Sequence, residues 1–334
     1  MSRLSHPLLV SLLAASVLLA GCGGDSTEKS DDGGPTVQDG TTMATTWPLT
    51  GLPVTGDEDV EKPYPVLVTK IDNTGSASPQ AGLGSADLVV EELVEGGLTR
   101  LAVFFYSDLA ERVGPVRSMR ASDIGIVSPV GAAVVTSGAA ARTIARIQDA
   151  GITFFQEGAH GIYRDSSRSA PYNVFADLTQ IASKAKGEPA RPDDYLPWGE
   201  ESDLPKGKRA TSLAATFSGG HTSEWVYRDG GYVNVNTYAA ADDQFPADSV
   251  LVLRVQVGDA GYLDPAGNPV PETKFEGSGA AMLFHGGRMV RGTWSKDGLS
   301  GDLELKTGKG RLLVPAGHVW IELVPAENGA VTFK

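Results

Sequence analysis

Asp87–Val94 (DLVVEELV) and Leu98–Tyr106 (LTRLAVFFY) are two apolar runs separated by Glu95-Gly96-Gly97. Short runs rich in Val and Phe form strands, and a Gly-Gly link between two of them marks a hairpin. On such a strand Glu91 and Glu92 point to opposite faces, because side chains alternate along extended backbone. Upstream, Tyr64–Ile71 (YPVLVTKI) reads as a buried strand. Downstream, Ala132–Thr136 (AAVVT) is a short β-branched run, and Ser137-Gly138 opens a helical stretch, AAARTIARIQDA (139–150). That stretch places Ile144 and Ile147 on one face and stops at Gly151. Ile152–Gln156 is a further strand, and a second helix is expected from Val174 to Ala185, ending at Gly187.

Residues 187–210 (GEPARPDDYLPWGEESDLPKGKRA) are rich in Pro and charge and show no period, which marks a boundary. Beyond them nearly every apolar run is short and bounded by glycine. Trp225-Val226-Tyr227 and Tyr232-Val233 flank a Gly-Gly turn, Met282–Phe284 and Met289–Arg291 flank another, and His318–Val324 closes the series. Short strands at close spacing predict a barrel or a compact sandwich. The expected fold is therefore α+β: a layered β/α N-terminal domain over 47–186, a linker over 187–210, and a β-rich C-terminal domain over 211–334.

At the N-terminus, Arg3 precedes Leu8–Leu19 (LLVSLLAASVLL). This run is shorter than the roughly 20 residues of a membrane span and fits the apolar core of a signal peptide. It ends in Leu19-Ala20-Gly21-Cys22, which resembles the bacterial lipobox. The reading is a signal peptide over 1–21 with lipidation at Cys22. A cysteine carrying two acyl chains anchors stably where one chain does not. Cys22 is the sole cysteine, so no thiol remains for a disulfide, a metal or a nucleophile. Residues 22–46 are Gly-, Ser-, Thr- and Asp-rich and read as a disordered tether. As a flexible coil it reaches roughly 25–30 Å on average. Localisation is then the extracytoplasmic face of the bacterial cell membrane.

The chain carries 28 basic and 41 acidic residues, a formal net charge of −13. This argues against a general affinity for nucleic acid or an anionic membrane surface, though not against a local basic pocket. P-loop, Rossmann and HExxH signatures are absent from the sequence. His160, His221, His285 and His318 lack a metal-binding spacing, so neither a metal nor a cofactor is expected.

Against this acidic background, Arg100, Arg117, Arg120, Arg164 and Arg168 crowd a few motifs, with Tyr163 and Asn173 beside them. Guanidinium forks suit carboxylate or phosphate. Ser137 and Gly138, at the expected helix start, would add backbone N–H donors. Together these residues predict an anion-binding cleft for a wall polymer, a lipid headgroup or an envelope protein. The alternative is that the arginines pair with Glu91, Glu92, Glu95 or Asp165 in a structural network. A carboxylate-dependent hydrolase of cell-wall glycan would draw on Glu92, Glu95 and Asp165. A Ser137–His160–Asp165 triad lacks the G-x-S-x-G elbow.

The motifs SPQAGLGSADLVVEELVEGGLTRLAVFF (78–105), VGPVRSMR (113–120), YRDSSRSAPYNVF (163–175), GTW (292–294) and PAGHVWIELVP (315–325) resemble the YerB-like lipoproteins. The resemblance spans almost everything after the tether. It implies an envelope lipoprotein with an α+β part and a β-rich part, and no established reaction. The chain departs from the pattern at Tyr172, where that family usually carries His. It departs again in YVNVNTYAAADDQF (232–245), which lacks the family's Arg and His-Asp pair.

Overall fold

Leu67–Asn73 (β1), Leu88–Leu93 (β2) and Thr99–Phe105 (β3) form the antiparallel nucleus expected around the glycine turn. Leu88 stands opposite Phe104 and Leu93 opposite Thr99, while β1 lies along the other edge of β3. Gly96 and Gly97 in the turn have φ of 70° and 73°, backbone that favours glycine. The structure is a computed structural model and describes residues 45–334. The expected signal segment, Cys22 and the tether through residue 44 lie outside the described residues.

Asp123–Val127 forms a short helix (α1). Ala133–Val135 (β4) pairs parallel with β1, and Phe154–Phe155 (β5) pairs parallel with β4. Parallel neighbours need a crossover, and Ala141–Asp149 (α2) supplies it between β4 and β5. The exposed edge of β2 is covered from far along the chain. Val319–Pro325 runs parallel to β2 on one side and parallel to Ser249–Leu263 on the other. The sheet continues through Gly277–His285, Arg288–Lys296 and Glu304–Thr307. One 13-stranded mixed sheet thus draws strands from both sides of the 187–210 segment. That segment lies against the rest of the fold: Tyr195 and Leu196 are buried, Trp198–Gly199 pairs with Val314–Pro315, and Lys208–Arg209 pairs with Arg288–Lys296.

Both faces of the sheet are covered. On one, Val68, Val90, Phe104 and Ile321 pack with Ile126 of α1 and Ile147 of α2. On the other, Ile71, Val89, Phe105 and Trp320 pack beneath Trp225 and Tyr232. Those two aromatics belong to a second, four-stranded sheet made of Gly231–Asn234, His221–Arg228, Ser212–Ser218 and Ala330–Phe333. The strands after residue 211 are therefore divided between the large sheet and this smaller one. Among the described residues, no helix is long and apolar enough to cross a membrane.

The helix expected over 174–185 is shorter than the sequence suggested. Val174–Ala176 is a strand (β7) paired with Ile162–Arg164 (β6), and only Leu178–Ala182 is helical (α3). Asp177 explains the break. Its carboxylate accepts from the Gln180 N–H at 3.1 Å as an N-cap, so the helix begins after it.

Ile321 is fully buried in the strand that joins β2 to the rest of the sheet. Ile321→Ala should destabilise the protein by about 2–5 kcal/mol, the usual cost of such a core truncation. Urea unfolding would measure it. A change within about 0.5 kcal/mol, typical of a surface position, would contradict this placement.

Candidate functional site

A sheet buried on both faces offers no water to its polar side chains, so each must find a partner inside the protein. On the α1 side, β1, β2 and β3 project Lys70, Asp72, Glu92 and Arg100, and the 117–123 segment adds Arg117, Arg120 and Asp123. Lys70 Nζ sits 2.8 Å from Glu92 and 2.6 Å from Asp123, all three fully buried. Burial pushes the Glu92 carboxyl above its ordinary range; Lys70 opposes this and Asp123 adds to it.

Beside this triad lie three guanidinium groups and two carboxylates. Arg120 grips Glu95 with two nitrogens, Nε at 2.9 Å, and gives Nη1 to the Met119 carbonyl at 2.9 Å. Arg117 Nε lies 3.0 Å from Asp72. Arg100 donates to the Ser118 carbonyl at 2.8 Å and reaches Glu95 only at 3.5 Å. Burial pushes Arg100 down to about 10, and the Arg120 charge adds to the shift. Its buried Nε has no hydrogen-bond partner among the described residues. Burial alone would raise Glu95, but Arg100 and Arg120 outweigh it and hold the carboxyl low.

Above this cluster is an open groove of about 600 Å³, lined by Ser118, Arg120, Ser137, Gln156, Tyr262 and Asp264 among others. One wall is the start of α2. The other is the hairpin of Ser249–Leu263 and Pro269–Lys274, which is tied to α2. Arg146 makes two bonds to Glu272 at 2.9 and 2.7 Å, Arg142 donates to the Gly261 carbonyl at 2.6 Å, and the Thr143 hydroxyl meets Tyr262 at 2.9 Å.

The residues singled out from sequence fall into two sets. Arg120, Ser137 and Gly138 line the groove, while Arg100 and Arg117 belong to the adjoining cluster through Glu95 and Asp72. Tyr163, Arg164, Arg168 and Asn173 sit on the β6–β7 hairpin instead. There Arg164 clamps Glu157 and donates to Asn173 at 2.8 Å, and Arg168 donates to the Ala77 and Pro79 carbonyls at 2.7 and 2.8 Å. Tyr163 stacks on Phe175 with ring centroids 6.4 Å apart. Arg117 links the sets through the Pro171 carbonyl at 3.2 Å and the Tyr172 ring at 5.3 Å.

The expected donor role of the Ser137 and Gly138 backbone is corrected. The helix begins at Ala141, not at these residues. Ser137 N–H donates to the Arg117 carbonyl and Gly138 N–H to the Thr136 hydroxyl, both at 3.1 Å. What Ser137 offers the groove is its hydroxyl, 3.5 Å from that of Ser118.

The three carboxylates considered for hydrolysis each hold a cation already: Glu92 holds Lys70, Glu95 holds Arg120, and Asp165 holds Arg112 at 2.6 Å. Asp165 also accepts from Ser167, and these bonds, with Arg112, keep it well below the usual carboxylate range. Sequence reasoning missed Lys70, Asp72, Asp123 and Glu322. The available signal was a charged residue inside an apolar run, as in YPVLVTKI and VWIELVP.

The family and structural comparisons agree with this architecture. Residues 49–191 match the model described as Protein of unknown function (DUF3048) N-terminal domain, and residues 213–321 match the C-terminal domain of the same name. A protein of Bacillus subtilis (strain 168) named "Putative lipoprotein YerB" is 24% identical over 301 residues, covering 86% of this chain and 88% of that protein. The crystal structure of the YerB protein from Bacillus subtilis superimposes with a TM-score of 0.70 at 20% identity, covering 86% of this chain and 99% of that one. At that identity the likeness is one of fold.

The opposite face of the sheet carries a second polar cluster, built on Glu91 and Glu322, which stand side by side in the parallel register. Glu91 meets His221 at 2.7 Å, Ser223 at 2.9 Å and Asn73 at 2.9 Å, and Glu322 accepts from Trp225 Nε1 at 2.8 Å. Burial, then the Glu91 charge, push Glu322 well above its ordinary 4.5. Burial would lower His221 below 6.5, but its bond to Glu91 outweighs this and raises it. Both raised groups contribute stability at low pH that is lost as pH rises, Glu322 from above 4.5 and His221 from above 6.5. Glu322→Gln keeps an acceptor for Trp225 and removes one of these losses. The variant's urea midpoint should fall less than the parent's between about pH 5 and about pH 8. An equal fall in both proteins would contradict the assignment.

Proposed function

This chain belongs to the DUF3048 family, and from that premise we propose that it is a membrane-anchored lipoprotein binding an anionic group in the groove above Arg100, Arg117 and Arg120. The anchor reading rests on the lipobox-like Leu19–Cys22 and on the printed name of the Bacillus subtilis relative. In this reading the folded part is held within a tether's length of the extracytoplasmic membrane face. Its ligand is then an anionic wall polymer, a lipid headgroup or an acidic envelope protein.

One observation carries the binding reading: three guanidinium groups meet only two carboxylates, Asp72 and Glu95. Burial, then the neighbouring Arg120 charge, push Arg100 down to about 10. The adjoining Lys70, Glu92 and Asp123 close on one another and do not line the groove. An anion in the groove would relieve that surplus, with Arg120 and the Ser118 and Ser137 hydroxyls as donors. The geometry favours binding over glycan hydrolysis, since Glu92, Glu95 and Asp165 are each engaged by a cation.

Binding of purified wall fragments by the full chain tests the groove. Arg120→Ala and Ser137→Ala, both on the groove lining, should each weaken binding, Arg120→Ala by about tenfold as one charge-assisted contact is lost. Affinity should also drop with added salt. Arg164→Ala, whose guanidinium is spent on Glu157 and Asn173, should bind as the parent does. Parent-like binding by both groove variants would remove the groove from consideration. The anchor has its own test: Cys22→Ala should move the protein from the membrane fraction to the soluble fraction, and unchanged fractionation would refute lipidation at Cys22.

A further inference from the structure

A second basic site lies in the C-terminal half, built by strand register. Ser249, His285, Arg288 and Arg209 are successive cross-strand partners: Ser249 opposite His285, His285 opposite Arg288, and Arg288 opposite Arg209. Residues directly opposite on antiparallel strands share a face, so these four side chains form one row. The row brings two arginines side by side. The Lys-Gly-Lys-Arg segment (206–209) runs close along the strand, and Gly207 makes this possible. A Cβ there would stand 2.8 Å from the Met289 carbonyl oxygen and 3.2 Å from Arg288 Cβ.

Like charges directly opposite are unfavourable unless something neutralises them. Among the described residues, neither Arg209 nor Arg288 forms an ion pair, and neither do Lys206 and Lys208. This sets them apart from Arg112, Arg117, Arg120, Arg146, Arg164 and Arg191, each of which holds a carboxylate. In a chain of net charge −13, carboxylates are not scarce.

The row borders a recess of about 450 Å³ whose lining includes Lys206, His285 and Arg288. His285 Nδ1 is taken by the Ser249 hydroxyl at 2.9 Å, which leaves Nε2 for a ligand. Leu204, Pro205, Leu283 and Val290 supply an apolar wall. Glu201, also on the lining, can accept from a hydroxyl on the ligand. A guanidinium, an ammonium and an imidazole on the lining, with Arg209 opposite Arg288 at its margin, suit a tetrahedral oxyanion better than a planar carboxylate.

We infer that the recess walled by Lys206, His285 and Arg288, with Arg209 at its margin, binds the phosphate group of an amphiphilic phosphate ester. The ester could be a phospholipid headgroup or a soluble phosphate. The inference does not depend on the groove above Arg117.

The test uses the full chain carrying Cys22→Ser, so that no lipid anchor competes. It is mixed with phosphatidylcholine vesicles with and without phosphatidylglycerol, and separately titrated with glycerol phosphate. Binding only to the phosphatidylglycerol vesicles identifies a lipid headgroup, and binding to glycerol phosphate as well identifies the phosphate itself. In either case Arg209→Ser and Arg288→Ser should each lower affinity about tenfold, and Arg164→Ala, whose guanidinium is held by Glu157 and Asn173, should leave it unchanged. Removing the repulsion should leave the double variant's urea midpoint equal to the parent's or higher. The inference is overturned if the parent binds none of these probes or if the double variant binds as tightly as the parent. It is also overturned if the double variant is less stable, since that would mean the arginines hold the fold together.

Discussion

The strand Val319–Pro325 hydrogen-bonds on both edges to parallel neighbours and is buried along its whole length. Parallel pairs occur where both faces of a sheet are covered, and here two separate apolar clusters cover them. The pairing sets Ile321 beside Val90 and Glu322 beside Glu91. With water excluded from both faces, every charge on the central strands needs a partner within the protein. The polar networks are consequences of that exclusion. Lys70, Glu92 and Asp123 close on one face, and Glu91, His221 and Glu322 on the other. Neither network has a counterpart that could be removed alone, because each buried charge left behind would be uncompensated.

Local features were legible from the sequence. The 87–106 hairpin, the α2 helix with its Gly151 stop and the Gly-Gly turns after 225 depend on short-range periodicity and turn chemistry, and the structure contains them. The pairing of 319–325 with β2 was not legible, because nothing in either run names a partner more than two hundred residues away. The 174–185 stretch was misread for a related reason. Val174–Ala176 is a strand because β6 lies beside it, and that contact overrides local helical pattern. The 187–210 segment lacks periodicity because it packs in short pieces against several elements, including two brief strand pairings.

For the site, the arginine-rich motifs pointed to residues that do meet, since Arg100, Arg117 and Arg120 form one cluster. Their partners were only partly readable. Glu95 does hold Arg120, but Asp72 came from β1, and Glu92 turned to Lys70. Alternation along β2 was enough to separate Glu91 from Glu92. It could not reveal that His221 and Glu322 wait on one side and Lys70 and Asp123 on the other. Tyr172 lies with its ring beside Arg117, so that position touches the cluster.

The pairing of the buried arginines and the lack of a carboxylate at Arg209 and Arg288 follow from the same physics. An arginine cannot stay buried without a carboxylate or carbonyls, so Arg100 on β3 and Arg120 in the 117–123 segment hold both. Arg209 and Arg288 lie at an exposed margin, where water can solvate an unpaired charge and a ligand can later replace that water. At the edge of the sheet beside Gly207, register rather than a pairing carboxylate brings the two guanidinium groups together, although Glu201 lines the same recess.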